Sequence, residues 1–143
     1  MKTIHHLFSI AAATGRVREA LITIDGLAGW WTATVDGDAG TGGVIDFTFA
    51  GDFNPDMKVT EASDILVAWT CVGGHDPWRS NSFRFELEPS DGEDRTTVRF
   101  WQEYAVELPD DAFGSYNYNW GYYLESLRLY CETGTGKPYP AAG

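Results

Sequence analysis

A long amphipathic segment near the C-terminal end, residues 111–133, constrains the fold most strongly. Apolar side chains recur along it at steps of three and four residues, so they fall on one face of a helix. Asp110 or Asp111 is predicted to cap the start of this helix, while Gly134 and Pro138 end it. Because so much aromatic surface needs a wide apolar partner, the preceding residues are predicted to form a curved sheet. The apolar positions of the helix are Phe113, Tyr116, Trp120, Leu124, Leu127 and Cys131.

Alternation of apolar and polar residues predicts β-strands through most of the chain before this helix. The first strand spans residues 3–12, and a short helix follows it, capped by Thr14 and ended by Gly26 and Gly29. Short turns join the later strands, so the expected fold is α+β, an antiparallel sheet of about six or seven strands wrapped round the long C-terminal helix. The sequence has no linker and no internal repeat, so residues 1–143 are expected to form a single domain. The later strands are predicted at residues 31–35, 45–49, 57–59, 65–71, 83–87 and 98–102.

The formal net charge of −11 over 143 residues predicts a strongly acidic surface. Such a surface repels phosphate groups, which argues against nucleic acid and anionic membranes as partners. No apolar run approaches the ~20 residues of a membrane span, so no membrane insertion is expected.

Cys71 and Cys131 are the only cysteines, and each lies among apolar neighbours. They are predicted to be buried thiols in a reducing compartment, because two isolated cysteines do not make a disulfide framework. The apolar run at the N-terminus is interrupted by His5 and His6, which is unlike a signal peptide. The predicted location is therefore the cytoplasm.

The inward-facing residues of the predicted sheet are unusually large. Rings of this size on a curved sheet either interdigitate with the long helix or leave a cavity between sheet and helix. These inward rings are Phe47, Phe49, Trp69, Phe83, Phe85 and Phe100.

Residues spread along the chain resemble the START-like superfamily, also called the SRPBCC or helix-grip fold, of birch-pollen-allergen shape. Within it, the sequence is most similar to a bacterial branch related to the activator of the heat-shock-protein-90 ATPase. The resemblance covers about residues 3–138. Members commonly place a histidine near position 102, where this chain has Gln102, so no histidine-dependent role carries over to that position. The matching features are the first strand with residues 14–21, Gly29-Trp30-Trp31, Val67-Ala68-Trp69-Thr70-Cys71 with Trp78, Thr97-Val98-Arg99-Phe100, Trp120 with Leu124 to Leu127, and Glu132 to Pro138.

The resemblance implies a deep, mostly apolar cavity between the sheet and the C-terminal helix. It favours a protein that binds a small hydrophobic or aromatic ligand, with no cofactor, and either a monomer or a homodimer. Two alternatives remain open, a module that interacts with a chaperone partner and an enzyme of the cyclase or hydrolase type. The expected cavity lining is Trp31, Phe47, Phe49, Trp69, Trp78, Phe83, Phe85, Phe100, Gln102, Tyr116, Trp120 and Tyr123.

A few polar residues are candidates for chemistry. His75 and Asp76 with Arg79 would bind a ligand carboxylate or perform acid–base work at a cavity mouth, although an ordinary solvated loop is the preferred interpretation. Glu103 would act as a base only if buried, and the parity of its strand directs it outward. His6 shares the parity of the inward residues of the first strand, and a structural role is preferred for it. Hydrogen bonds to a ligand are also possible from Tyr116, Asn119 and Tyr123.

Motifs for metals and nucleotides fail on spacing. The run from Asp36 to Phe47 begins like a calcium loop but lacks its central glycine and terminal acid. Gly134 to Lys137 lacks the Ser or Thr of a phosphate-binding loop. No His or Cys cluster has zinc spacing, so no metal site is assigned. No Gly-x-Ser-x-Gly nucleophile elbow is present, and no catalytic residue is assigned.

Overall fold

The computed structural model describes residues 2–90, 92 and 94–141. In this part of the chain it contains seven strands and three α-helices. The helices are α1 (Thr14–Ile22), α2 (Ile24–Trp30) and α3 (Asp110–Thr133), and a 3-10 turn spans Asp76–Trp78. The strands are β1 (Thr3–Ile10), β2 (Thr34–Gly37), β3 (Val44–Thr48), β4 (Asp56–Ala62), β5 (Leu66–Gly73), β6 (Ser82–Ser90) and β7 (Arg95–Glu103).

The strands form one curved antiparallel sheet in the order β1-β7-β6-β5-β4-β3-β2. From β2 to β7 the chain is a meander, so each strand pairs with its neighbour in sequence. Strand β1 is the exception, because it pairs with β7 in a register that places Thr3 opposite Glu103. The helices α1 and α2 connect β1 at one edge to β2 at the other. With α3 packed against this sheet, the expected α+β helix-grip fold is confirmed.

The long helix has the predicted extent but not the predicted cap. It begins at Asp110, and neither Asp110 nor Asp111 makes a capping hydrogen bond, because the N-cap position belongs to Pro109. Both aspartates lie in the first turn, where a negative charge complements the helix dipole. At the other end Gly134 has φ 87° and donates its N–H to the carbonyl of Tyr130, a left-handed C-cap that glycine adopts without strain.

Helix α2 was not predicted, because its Gly26 and Gly29 were interpreted as the end of α1. Both glycines lie inside α2, where they allow close packing. A Cβ on Gly26 would lie 2.7 Å from the carbonyl oxygen of Glu19, and one on Gly29 would overlap the ring of Tyr130 in α3. The strand predicted at residues 31–35 begins later, at Thr34, because Trp31 is the C-cap residue of α2.

The start of α1 also differs from the prediction. Its N-cap position belongs to Ala13, and no side chain caps it. The Thr14 hydroxyl instead contacts the Thr96 hydroxyl at 3.1 Å, and Thr96 donates to the carbonyl of Ala12 at 2.9 Å. These bonds attach the end of β1 and the start of α1 to the sheet.

The core lies between the inner face of the sheet, α1, α2 and α3. The ring centroids of Phe85 and Phe100 are 5.0 Å apart, and Phe100 lies 4.3 Å from Trp120 of α3. Both cysteines are buried free thiols, as predicted. Among the helices in the described residues, none combines the length and the apolar character that crossing a membrane requires.

Candidate functional site

A pocket of about 330 Å³ opens between the N-terminal half of α3, the loop after β3 and the segment around the 3-10 turn. The segment that follows α3 completes it. The pocket borders are Trp31, Phe49, Ala50, Phe53, His75, Trp78, Tyr116, Asn119, Trp120, Tyr123 and Tyr139.

Three nearly parallel indole rings form one side of this pocket. The ring centroids of Trp31 and Trp120 lie 5.0 Å apart, and those of Trp78 and Trp120 lie 6.1 Å apart. The interplanar angles are 24° and 12°. The indole N–H of Trp120 donates to the side-chain oxygen of Gln102 at 2.7 Å, which fixes the orientation of that ring. These three rings come from the C-cap of α2, the 3-10 turn and α3, so the fold itself assembles the wall.

The opposite side is built from segments without regular structure. Phe49 and Phe53 lie in a turn that Asn54 holds, since its side chain accepts from the N–H of Phe49 and donates to the carbonyl of Gly51. Phe53 stands edge-on to Trp78, with an interplanar angle of 87°.

The final wall comes from the segment after α3. The N–H of Tyr139 donates to the carbonyl of Trp31 at 2.9 Å, and the carbonyl of Tyr139 accepts from the N–H of Ala33 at 2.8 Å. Its ring lies 5.6 Å from that of Phe49. This backbone pairing therefore places the Tyr139 ring at the pocket.

The one polar cluster at the pocket joins His75 to Tyr116. His75 is only 8% exposed, and its Nδ1 lies 3.4 Å from the carbonyl oxygen of Asp52, which can only accept. Nδ1 therefore carries the proton, and Nε2 accepts from the Tyr116 hydroxyl at 2.9 Å. Burial lowers the pKa of His75 below its ordinary value. Burial and then the negative charge of Asp52 raise the pKa of Tyr116, so both groups are neutral at pH 7.

The residues predicted to line a cavity divide into two groups. Those that border the pocket are Trp31, Phe49, Trp78, Tyr116, Trp120 and Tyr123. Those that are fully buried without bordering it are Phe47, Trp69, Phe83, Phe85, Phe100 and Gln102. The second group fills the space between sheet and helix, so the pocket lies at the mouth of the fold.

Sequence reasoning missed three bordering residues, Ala50, Phe53 and Tyr139. All three follow the regular elements, where strand parity gives no information about direction. The only available signal was the occurrence of aromatic residues in polar turns.

The other residues near His75 do not reach the pocket. Asp76 and Arg79 are exposed, and the guanidinium of Arg79 donates to the carbonyl of Val72 at 3.1 Å. The structure therefore separates the Arg79 guanidinium from His75, with which it was grouped, while the exposed Asp76 carboxylate acts on His75 only through its charge.

Glu103 and His6 lie elsewhere. Glu103 is exposed, as its parity indicated, and forms an ion pair with Arg84 at 2.6 Å. His6 lies at a smaller groove between β1 and α3, where its Nε2 is 3.0 Å from the side-chain oxygen of Asn117. Within the described residues, no three His, Cys, Asp or Glu side chains converge as a metal site would require.

Comparison with solved structures gives a match along nearly the whole chain. The Aha1 dimer from Colwellia psychrerythraea, solved in solution, has 34% sequence identity and a TM-score of 0.83. The match covers 95% of this chain and 100% of that one. The chain belongs to the same family as this Aha1 protein.

Other solved structures are more distant, and their likeness to this protein shows a shared fold alone. The protein SSP2350 from Staphylococcus saprophyticus has 18% identity and a TM-score of 0.73, with 95% of this chain and 96% of that one covered. CalU16 from Micromonospora echinospora has 14% identity and a TM-score of 0.73, with 94% and 69% covered. No protein-family model and no curated protein matches this Aha1-family sequence.

Proposed function

We propose that this protein binds a small, flat, mainly aromatic molecule in the pocket at the mouth of its fold. The observation that carries the proposal is a pocket of about 330 Å³ whose described borders include eight aromatic rings besides His75 and no charged residue. Ligand sites are typically concave and mostly apolar, with a few polar groups that orient the ligand. The His75–Tyr116 pair and Asn119 are the polar groups in this case.

The pocket volume limits the ligand. At ~30 Å³ per water molecule, it holds the equivalent of about eleven waters, which suits a molecule with one or two rings. Burying ~200 Å² of apolar ligand surface contributes about 5 kcal/mol before the cost of ordering the ligand. A generic probe should therefore bind in the micromolar to millimolar range.

Titration with N-phenyl-1-naphthylamine, a neutral fluorophore that brightens in apolar surroundings, tests the proposal. Binding should raise its emission and quench tryptophan fluorescence. Tyr123→Ala should weaken binding, because Tyr123 borders the pocket, whereas Tyr122→Ala, on the exposed side of the same helix turn, should not. If a panel of neutral planar probes fails to bind the folded protein, the proposal is wrong.

A catalytic role for the pocket has less support. Within the described part of the chain, the borders offer one neutral histidine paired with a tyrosine and no carboxylate. General acid–base chemistry usually needs groups whose pKa values lie near the working pH, and burial moves the pKa of His75 and the pKa of Tyr116 away from pH 7 in opposite directions.

A second candidate function is interaction with a chaperone, which the resemblance to relatives of the heat-shock-protein-90 ATPase activator implies. Its specific support is the 34% identity with an Aha1 protein over the full length of that chain. Stimulation of the ATPase of a purified chaperone of that class would test it. A protein that binds the probe but does not change the ATPase rate would leave ligand binding as the better assignment.

The proposal also includes a homodimer, since the relative from Colwellia psychrerythraea is a dimer. Residues 112–124 of α3 carry no charged side chain, although each chain has a net charge of −11. This uncharged stretch exposes Tyr118 and Tyr122, and two acidic chains approach most easily where neither carries charge. Tyr118→Glu should shift the sedimentation coefficient toward that of a monomer, whereas Leu7→Glu, on the exposed face of β1, should not. A wild-type protein that sediments as a monomer at every concentration would contradict this.

The proposal treats residues 1–143 as one domain and places it in the cytoplasm. Two buried free thiols are consistent with a reducing compartment.

A further inference from the structure

We infer that the pocket selects an organic cation, an ammonium group that carries an apolar or aromatic substituent, over neutral and anionic molecules of the same shape. This inference rests on the proposed function and names the class of ligand that the same site takes.

The rings that border the pocket supply the first argument. An ammonium group is attracted to the faces of aromatic rings by their quadrupole, most strongly by tryptophan. Three of the eight rings at this pocket are indoles and three are phenols. Neighbouring rings meet at angles from 12° to 87°, so a ligand meets π-systems in several orientations. Cages of this composition are a general means of holding alkylated ammonium groups, because each ring replaces part of the lost hydration.

The charges around the pocket supply the second argument, and they are independent of the rings. Among the residues that the structure describes, none that borders the pocket carries a cationic side chain. The exposed carboxylates of Asp52 and Asp76 act on His75, and that of Asp52 also acts on Tyr116. The field of a chain with net charge −11 has the same sign. Because an apolar wall screens charge less than water does, this field favours a cation in the pocket and opposes an anion.

The hydrogen bonds of the pocket lead to the same conclusion. The proton on Nδ1 of His75 is directed to the Asp52 carbonyl, and Nε2 is occupied by the Tyr116 hydroxyl. The histidine therefore remains neutral and has no proton left to donate to a carboxylate or phosphate. Arg79, the cation that a ligand carboxylate would need, binds the Val72 carbonyl away from the pocket. Fatty acids and phosphorylated ligands are thus disfavoured.

Three probes of the same shape test the selection. Benzyltrimethylammonium and neopentylbenzene differ only in that a quaternary nitrogen replaces a carbon, and benzylsulfonate provides a matched anion. Each competes against N-phenyl-1-naphthylamine at fixed ionic strength. The cation should bind about tenfold tighter than the neutral isostere, and the sulfonate should not displace the fluorophore at millimolar concentration.

Two variants separate the charge from the shape of the pocket. Asp52→Asn should lower the affinity for the cation about threefold and leave the affinity for the neutral isostere unchanged. Asp64→Asn also removes one negative charge, but Asp64 is exposed just before the start of β5, whereas His75 follows the end of that strand. This variant should change the affinity for neither probe. Added salt should reduce the advantage of the cation over the neutral isostere in the wild type more than in Asp52→Asn.

The outcomes distinguish the two levels of the proposal. If the fluorophore and the neutral isostere do not bind the folded protein, the proposed function fails. If they bind and the cation is no tighter than the neutral isostere, or the sulfonate competes equally well, the inference of cation selection fails while the binding function stands.

Discussion

Truncating Trp120 to alanine should remove the central contact between α3 and the sheet. Its side chain is 2% exposed, and its ring centroid lies 5.0 Å from Trp31 and 4.3 Å from Phe100. Loss of a buried ring of this size costs about 3–5 kcal/mol through lost transfer free energy and the cavity left behind.

A second cost comes from Gln102. Its side-chain oxygen accepts from the Trp120 indole, while its side-chain nitrogen has no partner among the described residues. Trp120→Ala leaves that oxygen unpaired as well, at about 1–3 kcal/mol. Water entering from the adjacent pocket offsets part of this cost, so the expected total is about 5 kcal/mol. With an entropy of unfolding of about 2.1 cal/mol/K per residue over 143 residues, this loss lowers the melting temperature by about 17 °C.

Urea unfolding followed by circular dichroism measures this loss, with a midpoint that falls while the slope m stays constant. Trp120→Phe keeps most of the packing and should lower the free energy of unfolding by only about 1–3 kcal/mol. Adding Gln102→Leu to this variant should recover much of the lost free energy, because both polar partners are then removed. Val106→Ala, at a site 55% exposed and outside α3, should change the free energy of unfolding by less than about 0.5 kcal/mol. A loss below about 2 kcal/mol for Trp120→Ala would refute the assignment of Trp120 to the core.

Three further predictions follow from burial and close packing. Burial lowers the pKa of His75 below 6.5, so the unfolded state binds more protons than the native state just below that pH. In urea titrations, the wild type should therefore lose free energy of unfolding relative to His75→Gln as the pH falls from about 7 to 5. Equal pH profiles for the two proteins would contradict this. Gly29→Ala should destabilise the protein by at least about 1–3 kcal/mol, because the added Cβ overlaps the Tyr130 ring. Gly114 has open space around it, so Gly114→Ala should stabilise α3 by about 0.5–1 kcal/mol. Equal melting temperatures for the two variants would show that α2 does not pack closely on α3. Cys131, whose pKa burial raises to about 12, should react with a thiol reagent at pH 8 only after denaturant is added, and rapid labelling of the native protein would place it at the surface.

The parts of the fold that sequence predicted best are those where periodicity and burial coincide. The extent of α3 was predicted to within a residue at its start, and the parity of Phe83 and Phe85 correctly directed them inward. Helix α2 was missed because Gly26 and Gly29 have low intrinsic helix propensity. Their role becomes visible only when the neighbours that forbid a Cβ are known.

The pocket was predictable only in part, because its borders combine regular and irregular segments. Trp120 and Tyr123 were predicted from the helical period, but Phe53 and Tyr139 lie where no period applies. Nor could parity distinguish rings that meet open space from rings such as Phe85 that pack against other rings. That distinction depends on the curvature of the sheet and on the position of α3 against it, which are properties of the whole chain.

The pairing of β1 with β7 sets an order of events during synthesis. Strand β1 leaves the ribosome before the other six described strands, yet its hydrogen-bonding partner begins only at Arg95. At 5–20 residues per second, a nascent chain carries β1 unpaired for about 5–20 s. The meander from β2 to β7 can assemble from neighbouring segments in the meantime, but closing the sheet with β1 requires a long loop closure, which makes that step slow. His5 and His6 interrupt the apolar run of β1, and they reduce its tendency to pair with other chains while it waits.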